Sequence, residues 1–182
     1  MPSPAPSVPV TPPSEEELRA SGFTSSVPFQ DDEPDCLVIA CSDHRFREQV
    51  REFLAGIGLR RPHLITVPGG VLLSSPLLSA VPYLSKTLDH IVERIIETKG
   101  LHEIVCIGHE DCGVYKAGKN KLVDLAVHRL AGRSMTELHL EHLSKTARRL
   151  RQTLPRVRVR AFLAEVVPAG AERQVRFRQT EV

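Results

Sequence analysis

Five residues in two short stretches carry the chemistry this sequence offers. Cys41, Asp43 and Arg45 stand at alternate positions in IACSDHRF (Ile39–Phe46), and His109 and Cys112 stand three apart in IGHEDCG (Ile107–Gly113). Alternation along an extended backbone points Cys41, Asp43 and Arg45 roughly one way, and Ser42 and His44 the other. His109 and Cys112, about one helical turn apart, can bite a single ion. Two thiolates and one imidazole make a tetrahedral zinc site with its fourth position open, the arrangement of a catalytic zinc. A helix beginning near Cys112 would favour its thiolate through the positive end of the helix dipole. Asp43 is the carboxylate nearest the open position, and Arg45 can hold it in a bidentate pair. With the pair intact, Asp43 turns from the ion and accepts a proton from water there; with the pair broken, it ligates the ion and shuts the site. Two thiolates draw down the ion's effective charge, so activity is expected to rise toward alkaline pH.

Both stretches must be held at the ends of neighbouring strands. Cys36–Cys41 (CLVIAC) and Glu103–His109 (EIVCIGH) are short continuous apolar runs, which suit strands covered on both faces. Pro62–Gly70 (PHLITVPGG) reads as a further strand closed by a tight turn. Helical spacing predicts helices over 45–58, 79–100 and 134–154, and Arg156–Pro168 and Arg173–Val182 read as a closing pair of strands. The result is an α/β fold, with a mainly parallel central sheet of about four strands plus one antiparallel edge strand and helices on both faces. Sites in such sheets form beyond the carboxyl ends of the strands, and a right-handed crossover brings both motifs to the same side. Lys116–Arg133 reads as a loop plus a short helix. Residues 1–30 form a proline-rich arm with a short helix, Ser14 being its N-cap, Glu17 the capping-box partner and Gly22 its end. Residues 31–182 form one zinc-binding α/β domain.

The remaining signals are weaker. Cys36 and Cys106 fall inside strands and read as small buried hydrophobes. Gly69 and Gly70 either let backbone approach a substrate or simply make a turn. His44 suits proton relay by its chemistry, but alternation points it off the metal face. His139 and His142, one turn apart with Glu141, could form an accessory metal pair but read better as a solvated or packed helix face. Lys and Arg number 24 against 22 for Asp and Glu, so net charge gives no reason to expect nucleic acid. Four cysteines without a secretory signal point to reduced thiols, and no apolar run approaches the roughly 20 residues that span a bilayer. A cytoplasmic protein is expected.

The pairing of Cys-x-Asp-x-Arg with His-x-x-Cys-Gly resembles the β-class carbonic anhydrases, in element order over roughly 35–167 and specifically at the two motifs. That resemblance implies reversible hydration of CO2 to bicarbonate, with Cys41, His109 and Cys112 binding Zn2+. It also implies Asp43 and Arg45 as the gating and orienting dyad, and a homodimer or dimer of dimers that gives the arm a surface to embrace. The sequence departs from the family at Val67–Gly70, where VPGG replaces a segment that usually carries Arg and Asn, and at His44, where a small residue is common. Those departures keep three alternatives open: hydrolysis of carbonyl sulfide or carbon disulfide, a zinc-holding protein without turnover, and a redox pair of Cys41 and Cys112.

Overall fold

The computed structural model describes residues 12–71, 82–116 and 134–180. Residues 1–11 of the proline-rich arm, nearly all of the loop and short helix expected over Lys116–Arg133, the first residues of the helix expected over 79–100, and Glu181 and Val182 of the closing strand lie outside those residues. The chain divides into two compact units, Met1–Asp31 and Asp32–Val182.

In the first unit, α1 (Glu15–Ser21) has the predicted capping box. The Ser14 hydroxyl accepts from Glu17 N, and Glu17 returns a carboxylate to Ser14 N at 2.8 Å. Gly22 ends the helix at φ 70°, a left-handed position that costs glycine little.

The second unit runs β1 (Cys36–Cys41), a 3-10 turn (His44–Phe46), α2 (Arg47–Gly56), β2 (Pro62–Val67), α3 (Pro82–Lys99), β3 (Glu103–His109), α4 (Gly113–Lys116), α5 (Met135–Thr153), β4 (Arg158–Ala169) and β5 (Glu172–Gln179). The sheet order is β2-β1-β3-β4-β5. All neighbours are parallel except β4 and β5. This is the expected set of four parallel strands with one antiparallel edge.

The two-residue period of β1 assigns its side chains to two cores. Leu37 and Ile39 pack with Leu88, Val92 and Ile96 of α3 and Leu143, Ala147 and Leu150 of α5. Cys36, Val38 and Ala40 pack on the other face with Val50 and Leu54 of α2. With helices on both faces, β1 and β3 have no solvated side, which is why their sequences show no polar alternation. At the opposite end of the sheet from the motifs, the Asp35 carboxylate accepts from Arg60 N (2.8 Å) and Arg61 N (3.0 Å). It thereby ties the entry of β1 to the entry of β2.

The helix predicted from Arg45 starts later. Extended backbone stops after Cys41, and the Asp43 carboxylate accepts from Arg45 N at 3.0 Å, winding 44–46 into a 3-10 turn before α2. Alternation along a strand therefore does not account for where Arg45 points; the turn does.

Candidate metal centre

β1 and β3 are neighbours, paired up to Ala40 and Ile107, so Cys41 and His109 leave the sheet side by side. Cys112 follows on the turn into α4. The ligand atoms of Cys41, His109 and Cys112 all lie within 4.8 Å of one another, and Cys41 Sγ and Cys112 Sγ are 3.8 Å apart. Two sulfurs on a tetrahedral ion at about 2.3 Å would lie about 3.8 Å apart.

His109 is set for ligation. Its Nδ1 lies 2.7 Å from the Glu110 carbonyl oxygen, which can only accept, so the ring proton sits on Nδ1 and Nε2 keeps its lone pair. Nε2 is buried without a hydrogen-bond partner of acceptable geometry, and such an orphaned atom is costly unless something binds it. Phe46 packs on the imidazole at a centroid distance of 4.3 Å and fixes its plane. The donor set, the sulfur spacing and this lone pair together suit zinc.

The Cys41 thiol is held well below the usual range. The largest cause is its hydrogen bond with the Cys112 thiol, followed by His109 and the backbone N–H groups of Asp43 and Gly69, which outweigh burial. Cys36 and Cys106 behave oppositely, burial pushing them up to about 11 and about 12. Of these three, Cys41 alone is prepared as a thiolate, the form that binds metal.

Asp43 and Arg45 are joined as a fork, with Nη2 to Oδ2 at 2.7 Å and Nε to both carboxylate oxygens at 3.1 Å. Arg45 Nη2 also donates to the Asp111 carbonyl at 3.4 Å, and Nη1 lies 3.5 Å from the Asp111 carboxylate. The Arg45 side chain lowers the Asp43 carboxyl to about 2. Asp43 Oδ2 stands 4.0 Å from His109 Nε2, beside the ligand cluster and outside it. His44 is exposed and does not line the pocket.

The cluster opens on a pocket with about 240 Å³ of empty space, part of it open solvent, walled by Gly69 and Val71 after β2, Gly108 of β3, and His139 and Leu143 of α5. Gly69 (φ 79°) lines it, whereas Gly70 does other work. At φ 54°, a Cβ on Gly70 would lie 2.9 Å from Cys41 N, so its bare backbone lets the VPGG turn close over the end of β1.

Two contributors were not singled out from sequence. Glu110 accepts from Val166 N at 3.0 Å and so anchors the HEDCG turn to β4. Asp111 adopts φ 62°, the one non-glycine with positive φ among the described residues, in a conformation Asp tolerates better than most. Their place inside the motif was the available signal. His139 and His142 form a packed face, only 4% and 3% exposed, and His139 reaches the metal pocket.

No model of a known protein family matches this chain. A Rickettsia bellii protein described only as uncharacterized is 26% identical over 133 residues, 72% of this chain and 76% of its own length. Among solved structures, the β-carbonic anhydrase CafA of Aspergillus fumigatus superposes with a TM-score of 0.53 at 18% identity, covering 82% of this chain and 76% of that one. The tetrameric β-carbonic anhydrases of Sordaria macrospora give 0.51 at 14% identity, with 82% and 83% covered. CafD of A. fumigatus gives 0.51 at 15%, with 86% and 95% covered. At these identities the likeness is one of architecture, and the architecture is unambiguous: this chain has the β-carbonic anhydrase fold.

Proposed function

We propose that the protein is a zinc-dependent lyase of the β-carbonic anhydrase type that interconverts CO2 and bicarbonate. The observation that carries this reading is the pairing of a Cys-His-Cys cluster that lines a small pocket with an ionised carboxylate, Asp43, 4.0 Å from His109 Nε2. Held by Cys41, His109 and Cys112, zinc supplies a Lewis acid that makes water nucleophilic near neutral pH.

The chain's own residues do the rest. Asp43, kept ionised by Arg45, accepts a hydrogen bond from the attacking water and orients its lone pair toward carbon. Arg45, anchored in turn on Asp111, keeps Asp43 from swinging into the ligand set. Val71 and Leu143 give CO2 an apolar wall with no competing hydrogen-bond partner, while Gly69 brings backbone close to it. The chain is taken to work as a homo-oligomer, as the tetrameric Sordaria macrospora enzymes do. Its four free thiols suit a reducing cytoplasm. No described helix is long and apolar enough to cross a membrane.

Stopped-flow CO2 hydration, on protein of measured zinc content, tests the reading. The expected result is turnover that rises toward alkaline pH and falls at least tenfold in Asp43→Ala at unchanged zinc, the scale of a lost proton acceptor. Full zinc without hydration overturns it. Hydrolysis of carbonyl sulfide in the same preparation would then identify a different electrophile on the same site.

A further inference from the structure

We infer that His139 binds the substrate, its imidazole N–H donating a hydrogen bond to an oxygen of the bicarbonate or CO2 held in front of the Cys41–His109–Cys112 cluster. The inference rests on the carbonate chemistry proposed above and names the residue that would recognise it.

The first observation is the pocket's chemical inventory. Among the described residues that line it, and apart from the three ligands, His139 is the only one with a polar side chain; the others are Gly69, Val71, Gly108 and Leu143. The VPGG turn brings no side-chain donor to this wall. Bicarbonate and CO2 present oxygens that must leave water to enter, and an acceptor buried without a donor is costly. Small-molecule sites meet that demand with a few placed polar groups in an apolar lining.

The second observation is the position of the imidazole on a rigid element. The Ser134–Glu137 capping box fixes the start of α5 just before His139. One turn after His139, Leu143 presses on β3 so closely that a Cβ on Gly108 would lie 3.0 Å from its Cδ1. One turn further, Thr146 Oγ1 donates to the Val71 carbonyl at 3.3 Å. The helix is thus bound both to the strand that carries His109 and to the turn that forms the facing wall. A side chain supported in this way sits at a defined place before substrate arrives.

The third is the chemistry of the group. An imidazole carries an N–H donor in either protonation state, and this one, only 4% exposed, lines the pocket rather than bulk solvent.

Cobalt-substituted protein tests this without reference to turnover. Bicarbonate is titrated in and its binding followed by the visible absorption of the metal. Wild type should bind bicarbonate. His139→Leu should hold one equivalent of cobalt as wild type does, yet bind bicarbonate roughly 10- to 100-fold more weakly, the cost of one hydrogen bond to a charged group. His139→Gln, which keeps a donor, should recover most of that loss; a merely structural histidine would not show this pattern. In wild-type zinc protein, bicarbonate should also shift the imidazole 15N resonances of His139, a readout that does not depend on either variant folding. Equal bicarbonate affinity in wild type and His139→Leu, or unmoved His139 resonances while bicarbonate binds, overturns the inference alone. Failure of wild type both to bind bicarbonate and to hydrate CO2 overturns the carbonate reading and this inference together.

Discussion

Replacing Arg45 by Met removes the guanidinium, whose carbon lies 5.8 Å from the Phe46 ring centre, but keeps an aliphatic stem. What is lost is the fork on Asp43, with contacts at 2.7, 3.1 and 3.1 Å. That fork is the largest cause lowering the Asp43 carboxyl from 3.8 to about 2, a gap that converts to about 2.4 kcal/mol at 1.36 kcal/mol per unit. The Arg45 backbone N–H remains in the variant, and the Arg45 side chain is 50% exposed, so solvent screening brings the expected loss to about 1 kcal/mol. For a chain of this size that lowers Tm by about 2–4 °C at pH 7. The folded pKa of Asp43 lies below its unfolded value, so the stabilisation is complete above pH 3.8 and vanishes as pH falls through about 2. Thermal melts of both proteins in chelator, so that metal loss does not enter, should show a gap at pH 7 that closes by pH 2. A 13C titration should place the Asp43 carboxyl of Arg45→Met nearer 3.8. A gap that is equal at both pH values, or an unmoved Asp43 titration, would refute the reasoning.

Two further outcomes follow from the same geometry. Gly70→Ala puts a methyl at φ 54° and 2.9 Å from Cys41 N. It should cost at least 1–2 kcal/mol and lower zinc occupancy, measurable by denaturant unfolding and metal analysis, whereas wild-type stability would contradict the role given to the VPGG turn. In the chelated native protein at pH 7.5, iodoacetamide should label Cys41 well before Cys36 or Cys106, whose thiols are held at about 11 and about 12. Peptide mass spectrometry reads the order, and early labelling of Cys106 would count against it.

How much of this was legible in advance differs from element to element. β1 and β3 were readable to the residue because each is buried on both faces, leaving unbroken apolar runs bounded by polar residues. The α1 cap was readable because Ser14 and Glu17 interact within four residues. The clustering of Cys41, His109 and Cys112 was readable because sulfur and imidazole at two strand ends have few other uses. What failed to show was whatever depends on packing between distant segments. The 3-10 turn at 44–46 follows from one side-chain bond, Asp43 to Arg45 N, which competes locally with continued strand. The buried face of α5 is decided by β3 and the turn after β2, so the run LHLEHL could not say that His139 faces the metal pocket. Likewise the need for Gly70 is a contact with Cys41, and nothing in the turn's own sequence announces it.

Zinc K-edge X-ray absorption on the purified protein, with the metal quantified, most directly tests the central claim that Cys41, His109 and Cys112 hold one ion in an open site. The account predicts one zinc per chain with two sulfur scatterers at about 2.3 Å and two nitrogen or oxygen scatterers at about 2.0 Å, the latter being His109 and an exchangeable fourth ligand. Loss of one sulfur shell in Cys112→Ser would complete the assignment. Zinc bound with fewer than two sulfurs, or a fully reduced protein that takes up no zinc, would contradict it.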